Sequence, residues 1–268
     1  RLVGSEMCIR DSARREAFLK VKEIKDQDIP VVGVFCTFFP QELALAAGAT
    51  SVSLCATSDE TIADAERDLP KNLCPLIKSS YGFAITDKCP FFHFSDLIVG
   101  ETTCDGKKKM YEYLGKVKPT HVMELPNKQS EKGLELWYNE VIKMKEYLED
   151  FLKVEITEED IREAIRVKNA ERSAIKDFYS IMKEDELPIM GLDMWHVLHG
   201  ATFKFDKRAI PGELAGLKEK VLNEHKHIKG KKRILVTGCP IGGATEKVIS
   251  AIEDNGGIVV AFENCGGA

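Results

Sequence analysis

The sequence predicts an α/β protein with parallel sheets, arranged as two units joined by helices. Three observations carry that prediction. Short, continuously apolar runs recur, each followed by a turn and then by residues at helical spacing. A long helical stretch interrupts this alternation between Lys128 and Lys229, and the alternation restarts at Arg233. Strands joined by helical crossovers pair in parallel and are covered on both faces, so their runs read apolar throughout.

Taken in order, Pro30 to Phe35 is the first strand, ending at Cys36, with a helix from Pro40 to Ala47. Thr50 to Leu54 is the second strand, ending at Cys55. Cys74-Pro75 and Cys89-Pro90 each open a helix, because proline is tolerated at the first helical position. Asp96 to Glu101 is the third strand, followed by Thr102-Thr103-Cys104, and Thr120 to Leu125 is the fourth. From Glu131 to Lys153 the apolar residues Leu134, Trp137, Val141, Met144, Leu148 and Phe151 step by three or four, the signature of a helix. Thr157 to Asp160 has the form of a capping box, with Asp in place of Glu, and opens a helix to about Lys183. A further helix covers Gly212 to His227. Arg233 to Thr237 is a strand, Glu246 to Asp254 its helix, and Ile258 to Phe262 the next strand, ending at Glu263-Asn264-Cys265.

The domain reading is therefore 13–127 for the first α/β unit, 128–229 for a helical connector and 230–268 for a second α/β unit truncated after two strands. Residues 1–12, including Cys8, resemble translated adaptor sequence and are read as non-native, and the chain as a fragment lacking its C-terminal part. A net charge of −5 offers nothing to nucleic acid, and the longest basic run, Lys229 to Arg233, is broken by Gly230. No apolar stretch reaches the roughly 18–20 residues of a membrane helix. The expectation is a cytoplasmic protein with neither nucleic-acid nor membrane partners.

Eight cysteines in a chain of 268 residues raise four possibilities. Disulfides are disfavoured, since no secretory signal is visible and the core is large enough to need no staples. Metal binding, catalysis and buried inert thiols remain. Cys36, Cys55, Cys104, Cys239 and Cys265 each follow the C-terminal end of a predicted strand, the edge of a parallel sheet where ligands bind. Cys74 precedes a helix, whose free N–H groups and positive end favour a thiolate. Cys89 is similar but is followed by Phe91, Phe92 and Phe94. No close CxxC pair suggests a zinc knuckle, whereas dispersed thiols suit an iron–sulfur cluster. For any single cysteine, packing as a small hydrophobe is an equal alternative.

Other residues read more plainly. Gly238-Cys239-Pro240-Ile241-Gly242-Gly243 lies between a strand and a helix but matches neither dinucleotide nor P-loop fingerprints. Glu42 and Glu101 are candidate acid–base groups on the cysteine rim, with capping or pairing to lysine as the plainer reading. His196 and His199, at i and i+3, read as packing beside Trp195, and Lys107-Lys108-Lys109 as a solvated face.

Four segments together resemble the 2-hydroxyacyl-CoA dehydratase and benzoyl-CoA reductase superfamily, with most similarity to its double-cubane-cluster branch. They are Cys36 to Leu43, Leu73 to Gly82, Gly100 to Lys109 and Val236 to Pro240. The resemblance implies two flavodoxin-like domains joined by helices, with an iron–sulfur cluster between them, either a double cubane or a 4Fe–4S cubane. It implies Cys36, Cys74, Cys104, Cys239 and Cys265 as ligands. A double cubane takes about six thiolates, so the sixth is Cys55, Cys89 or a residue beyond 268. It also implies an ATP-hydrolysing iron–sulfur activator protein that delivers low-potential electrons, a small-molecule substrate and a homodimer. The activity it implies is a reductase component; a dehydratase subunit that expels water through a ketyl radical and a non-catalytic electron carrier are the rivals.

Overall fold

In the computed structural model, which describes residues 9–224 and 227–263, the first apolar run forms β1 (Val31–Val34), buried at every position. It pairs in parallel with β2 (Thr50–Ser53) on one side and β3 (Leu97–Glu101) on the other, and β3 pairs with β4 (Thr120–Met123). The sheet order is β2-β1-β3-β4. The expected α/β architecture with a parallel sheet is therefore present. After α1 (Ile9–Asp26), the connections are α2 (Gln41–Ala46) between β1 and β2, then α3 (Ile62–Ala65), α4 (Pro75–Ile85) and α5 (Pro90–Phe94) before β3, and α6 (Asp105–Leu114) before β4. Then follow α7 (Glu131–Leu152) and α8 (Glu158–Tyr179).

The chain divides into two units, one covering Phe18–Ile165 and the other built from Arg1–Ala17 and Arg166–Ala268. In the first, alternation along the strands sorts side chains to the two faces. Val32, Val34, Leu97, Val99 and Met123 form one core with Leu43 and Ala44 of α2 and Met144 and Leu148 of α7. On the other face Gly100 lies under α6, where a Cβ would run into the ring of Tyr111. Only glycine permits that approach.

Two helix starts follow from their caps. Ser130 Oγ accepts the N–H of Gly133 at 3.1 Å, fixing the start of α7. At α8, Thr157 N–H donates to Asp160 Oδ2 at 3.0 Å and Asp160 N–H to Thr157 Oγ1 at 3.2 Å, the reciprocal bonding that the capping-box pattern predicts.

Three sequence expectations shift. Leu134 is 70% exposed, because the apolar stripe of α7 meets the sheet only from Trp137 on. The helix after Thr157 ends at Tyr179 and tightens into a 3-10 turn, Ser180–Lys183, where Ser180 Oγ bonds the carbonyl of Asp177. The helix expected from Gly212 begins at Ile210, since Pro211 in its first turn needs no N–H partner, and α10 spans Ile210–Asn223.

In the second unit β5 (Lys232–Thr237) and β6 (Gly257–Glu263) pair in parallel across the crossover α11 (Thr245–Asp254). Their core joins Val236, Ile249, Ile258, Val259 and Phe262 to Phe178 of α8, Met194 and Leu198 of α9 (Gly191–Ala201) and Leu214 of α10. Among the described residues no helix is long and apolar enough to cross a membrane.

Candidate functional site

The geometry of the first unit's sheet singles out one place. α2, leaving β1, packs on one face, and α6, leaving the neighbouring β3, packs on the other. Two adjacent parallel strands whose connections diverge open a crevice between their C-terminal ends, the position where ligands bind in open α/β sheets. Cys36 follows β1 and Thr103-Cys104 follows β3, so the two cysteines flank that crevice.

Within it, Lys107 Nζ donates to Cys36 Sγ at 2.6 Å, and Thr103 Oγ1 lies 3.7 Å from the same sulfur. Glu101 is fully buried at the end of β3, and its Oε1 accepts the N–H of Phe39 at 2.9 Å, which ties the loop after Cys36 to the strand. Among the described residues its Oε2 has no hydrogen-bond partner, nor has the buried Tyr111 hydroxyl. Burial pushes the Glu101 carboxyl above the usual range, against the Phe39 N–H and the Lys107 charge, which pull it down. Burial also works against the Lys107 ammonium, but the bond to Cys36 and the nearby Cys55, Cys36 and Glu101 more than offset it, so its pKa lies above the ordinary value. Tyr111 is raised as well, chiefly by burial and then by Glu101.

Cys74 and Cys104 occupy equivalent positions, each the residue before a helix, each exposed, and neither thiol bonded to the helix it precedes. The two helix starts lie side by side: a Cβ on Gly106 would come within 2.8 Å of Leu73 and 2.7 Å of Ile77. Both cysteines thus stand at the positive ends of helices, where negative charge is favoured. Cys89 differs. Its thiol accepts the N–H of Phe92 at 3.4 Å as a helix cap, and burial raises its pKa. The Cys55 thiol donates to the Phe35 carbonyl at 2.7 Å. Glu42 is half-buried in the first turn of α2.

In the second unit Cys239 is exposed just after β5, while Cys265 and His225 lie outside the described residues. The histidines follow the plainer reading: His199 stacks on Trp195 at 4.7 Å, and His196 Nε2 lies 3.3 Å from Glu246. A cleft of about 580 Å³ lined by Ser180, Glu184, Asp185, Glu186, Lys218 and His227 contains none of the predicted site residues.

Sequence reasoning missed Lys107, Thr103 and Tyr111. The three lysines do not share one solvated face. Lys108 and Lys109 are exposed and pair with Asp105 and Glu112 on their own helix, whereas Lys107 turns inward to Cys36. The available signal was spacing: position 107 is three residues after Cys104, and helical side chains point back toward the N-terminus.

The buried Glu101 gives a testable pH effect. Its folded-state pKa is raised, so the stability it contributes is fully present below its unfolded pKa of about 4.3 and is lost as pH rises through the folded value. Glu101→Gln keeps the acceptor for Phe39 and removes the titration. Relative to this variant the parent protein loses stability as pH is raised, by about 1.4 kcal/mol per unit of elevation. Parallel denaturation curves for parent and variant across pH 4 to 9 are the check; curves that keep a constant separation overturn it.

Among the described residues no group of three His, Cys, Asp or Glu side chains stands arranged to hold a metal ion. The donor chemistry nonetheless fits a thiolate-bound group. Exposed, uncommitted thiols stand at two adjoining helix starts, and a third is hydrogen-bonded to a lysine at the strand ends.

Comparison with known proteins identifies a family. The model of a family described as 2-hydroxyglutaryl-CoA dehydratase, D-component, matches residues 36–268, so that the match starts at Cys36. The putative dehydratase subunit YjiM of Escherichia coli (strain K12) is 54% identical over 260 residues, covering 96% of this chain and 68% of that protein. With the matched region spanning both units and taking in Cys36, Cys74, Cys104 and Cys239, the chain belongs to the 2-hydroxyglutaryl-CoA dehydratase D-component family.

Proposed function

We propose that this protein is an iron–sulfur component of 2-hydroxyacyl-CoA dehydratase-like type, which takes low-potential electrons from an ATP-hydrolysing activator protein to reduce a small substrate. The observation behind this reading is that Cys36 and Cys104 leave adjacent parallel strands on either side of the β1/β3 crevice, with Cys74 at the neighbouring helix start. In this reading Cys36, Cys74, Cys104, Cys239 and Cys265 are cluster ligands, and Cys55 or Cys89 is a further candidate. The cluster, a double cubane or a single 4Fe–4S cubane, supplies one-electron transfer at low potential. The chain's own residues hold and shield it. The ends of α4 and α6 offset thiolate charge, and Glu101 anchors the loop that carries Cys36. Glu42 and Glu101 are the acid–base candidates. A flavodoxin-like form for both units, a homodimer and a cytoplasmic location belong to the same reading.

The test is anaerobic reconstitution of the full-length protein, followed by iron and acid-labile sulfide assay. The expected result is about eight irons per chain for a double cubane. Stoichiometry near zero overturns the reading. About four irons per chain favours the second reading, a 2-hydroxyacyl-CoA dehydratase subunit, which the description of the Escherichia coli relative as a putative dehydratase subunit also favours. CoA-ester-dependent loss or addition of water in the presence of activator distinguishes the two.

A further inference from the structure

Of three consecutive lysines only Lys107 abandons the solvent-exposed face, and a long, charged side chain is half-buried only where something compensates its desolvation. Its compensation is specific. Nζ lies 2.6 Å from Cys36 Sγ, with Glu101 in electrostatic reach behind it. The Glu101 carboxylate is meanwhile committed through Oε1 to Phe39 rather than to the lysine, and the ammonium donates to the sulfur. Tyr111, one turn further along α6, is fully buried against Gly100 and pairs its ring with Phe35 at 5.5 Å, closing the floor beneath. The backbone that carries Lys107 is therefore held by packing on both sides.

We propose that Lys107 is a positioning and potential-setting residue for a cluster bound through Cys36: its ammonium donates to the ligand sulfur and raises the reduction potential of the site. This rests on the iron–sulfur reading above. Reduction adds negative charge to the cluster, and a cation hydrogen-bonded to a ligating sulfur stabilises the more negative state, while hydrogen bonds to the sulfurs are among the terms that set such potentials. The same contact orients the Cys36 side chain toward the crevice end of β1 before any iron arrives, as an outer-sphere partner does for a metal-bound histidine.

The experiment compares the full-length parent protein with Lys107→Met and Lys107→Arg after anaerobic reconstitution. Iron and sulfide content are measured first, then the midpoint potential by dye-mediated titration followed by electron paramagnetic resonance. The expected result is a filled cluster in all three proteins. In Lys107→Met the ratio of reduced to oxidised cluster at a fixed potential falls about tenfold, a shift of ~59 mV to more negative values for a one-electron couple, and Lys107→Arg stays close to the parent. Loss of the cluster from Lys107→Met alone, with Lys107→Arg filled, also supports the assignment, because only the cation distinguishes the two. A filled Lys107→Met with the parent's potential overturns the inference and leaves the cluster reading standing, as does loss of cluster from both variants when the parent is filled. A parent protein without iron overturns both.

Discussion

If the protein holds the proposed iron–sulfur cluster, Cys104→Ser loses its iron without losing its fold. In the reconstituted protein the substitution lowers bound iron about tenfold or more, as removing one thiolate from a cluster leaves an iron without its ligand. Stability moves the other way or stays level. The thiol is exposed and makes no capping bond to α6, and serine is a preferred residue at the position before a helix. A melting temperature equal to or slightly above the parent's, alongside the missing iron, is therefore the expected pair of readings. Cys89→Ala is the complementary variant. Its half-buried sulfur caps α5 through Phe92, so its replacement costs about 1 kcal/mol; iron content holds if the sulfur serves only as a cap, and its loss assigns Cys89 as the further ligand. Full iron in Cys104→Ser removes that cysteine from the ligand set.

The second large effect is on stability. Leu148 is fully buried between α7 and the first sheet, in one core with Val32, Leu97 and Val99. Leu148→Ala removes its contacts and leaves a cavity that rigid strands close only in part, a loss of about 2–5 kcal/mol. Leu134→Ala, on the same helix but 70% exposed, changes stability by no more than ~0.5 kcal/mol. Urea unfolding followed by Trp137 fluorescence, with Trp195 replaced by Phe, reads the first unit by itself. Equal shifts for the two variants contradict the packing of α7 described above.

Much of the fold was legible in the residue pattern. Continuous apolar runs such as Val31–Val34 and Leu97–Val99 give a parallel, doubly covered sheet because nothing polar remains to face water. The capping box at Thr157 is a local device whose partners are three residues apart, so the sequence contains all of it. The apolar stripe of α7 was legible in period but not in extent. Leu134 keeps the spacing and lies beyond the surface that the helix covers, and only the position of the sheet decides where that surface ends.

The site divides in the same way. Cysteines at strand ends and before helix-opening prolines, and the motifs that join them to a family, are properties of the order of residues along the chain. The sequence by itself determined the α/β class with its parallel sheet and the family, and it proposed the cysteines that a thiolate-bound group would use. The tertiary structure alone decided which partner each one meets. It separates Cys89, spent on capping α5, from Cys74 and Cys104, and it turns Lys107 out of a run of three onto Cys36, a residue 71 positions away. Contacts at that separation depend on strand order and on which face each crossover takes, and neither is encoded in the neighbours of the residues concerned.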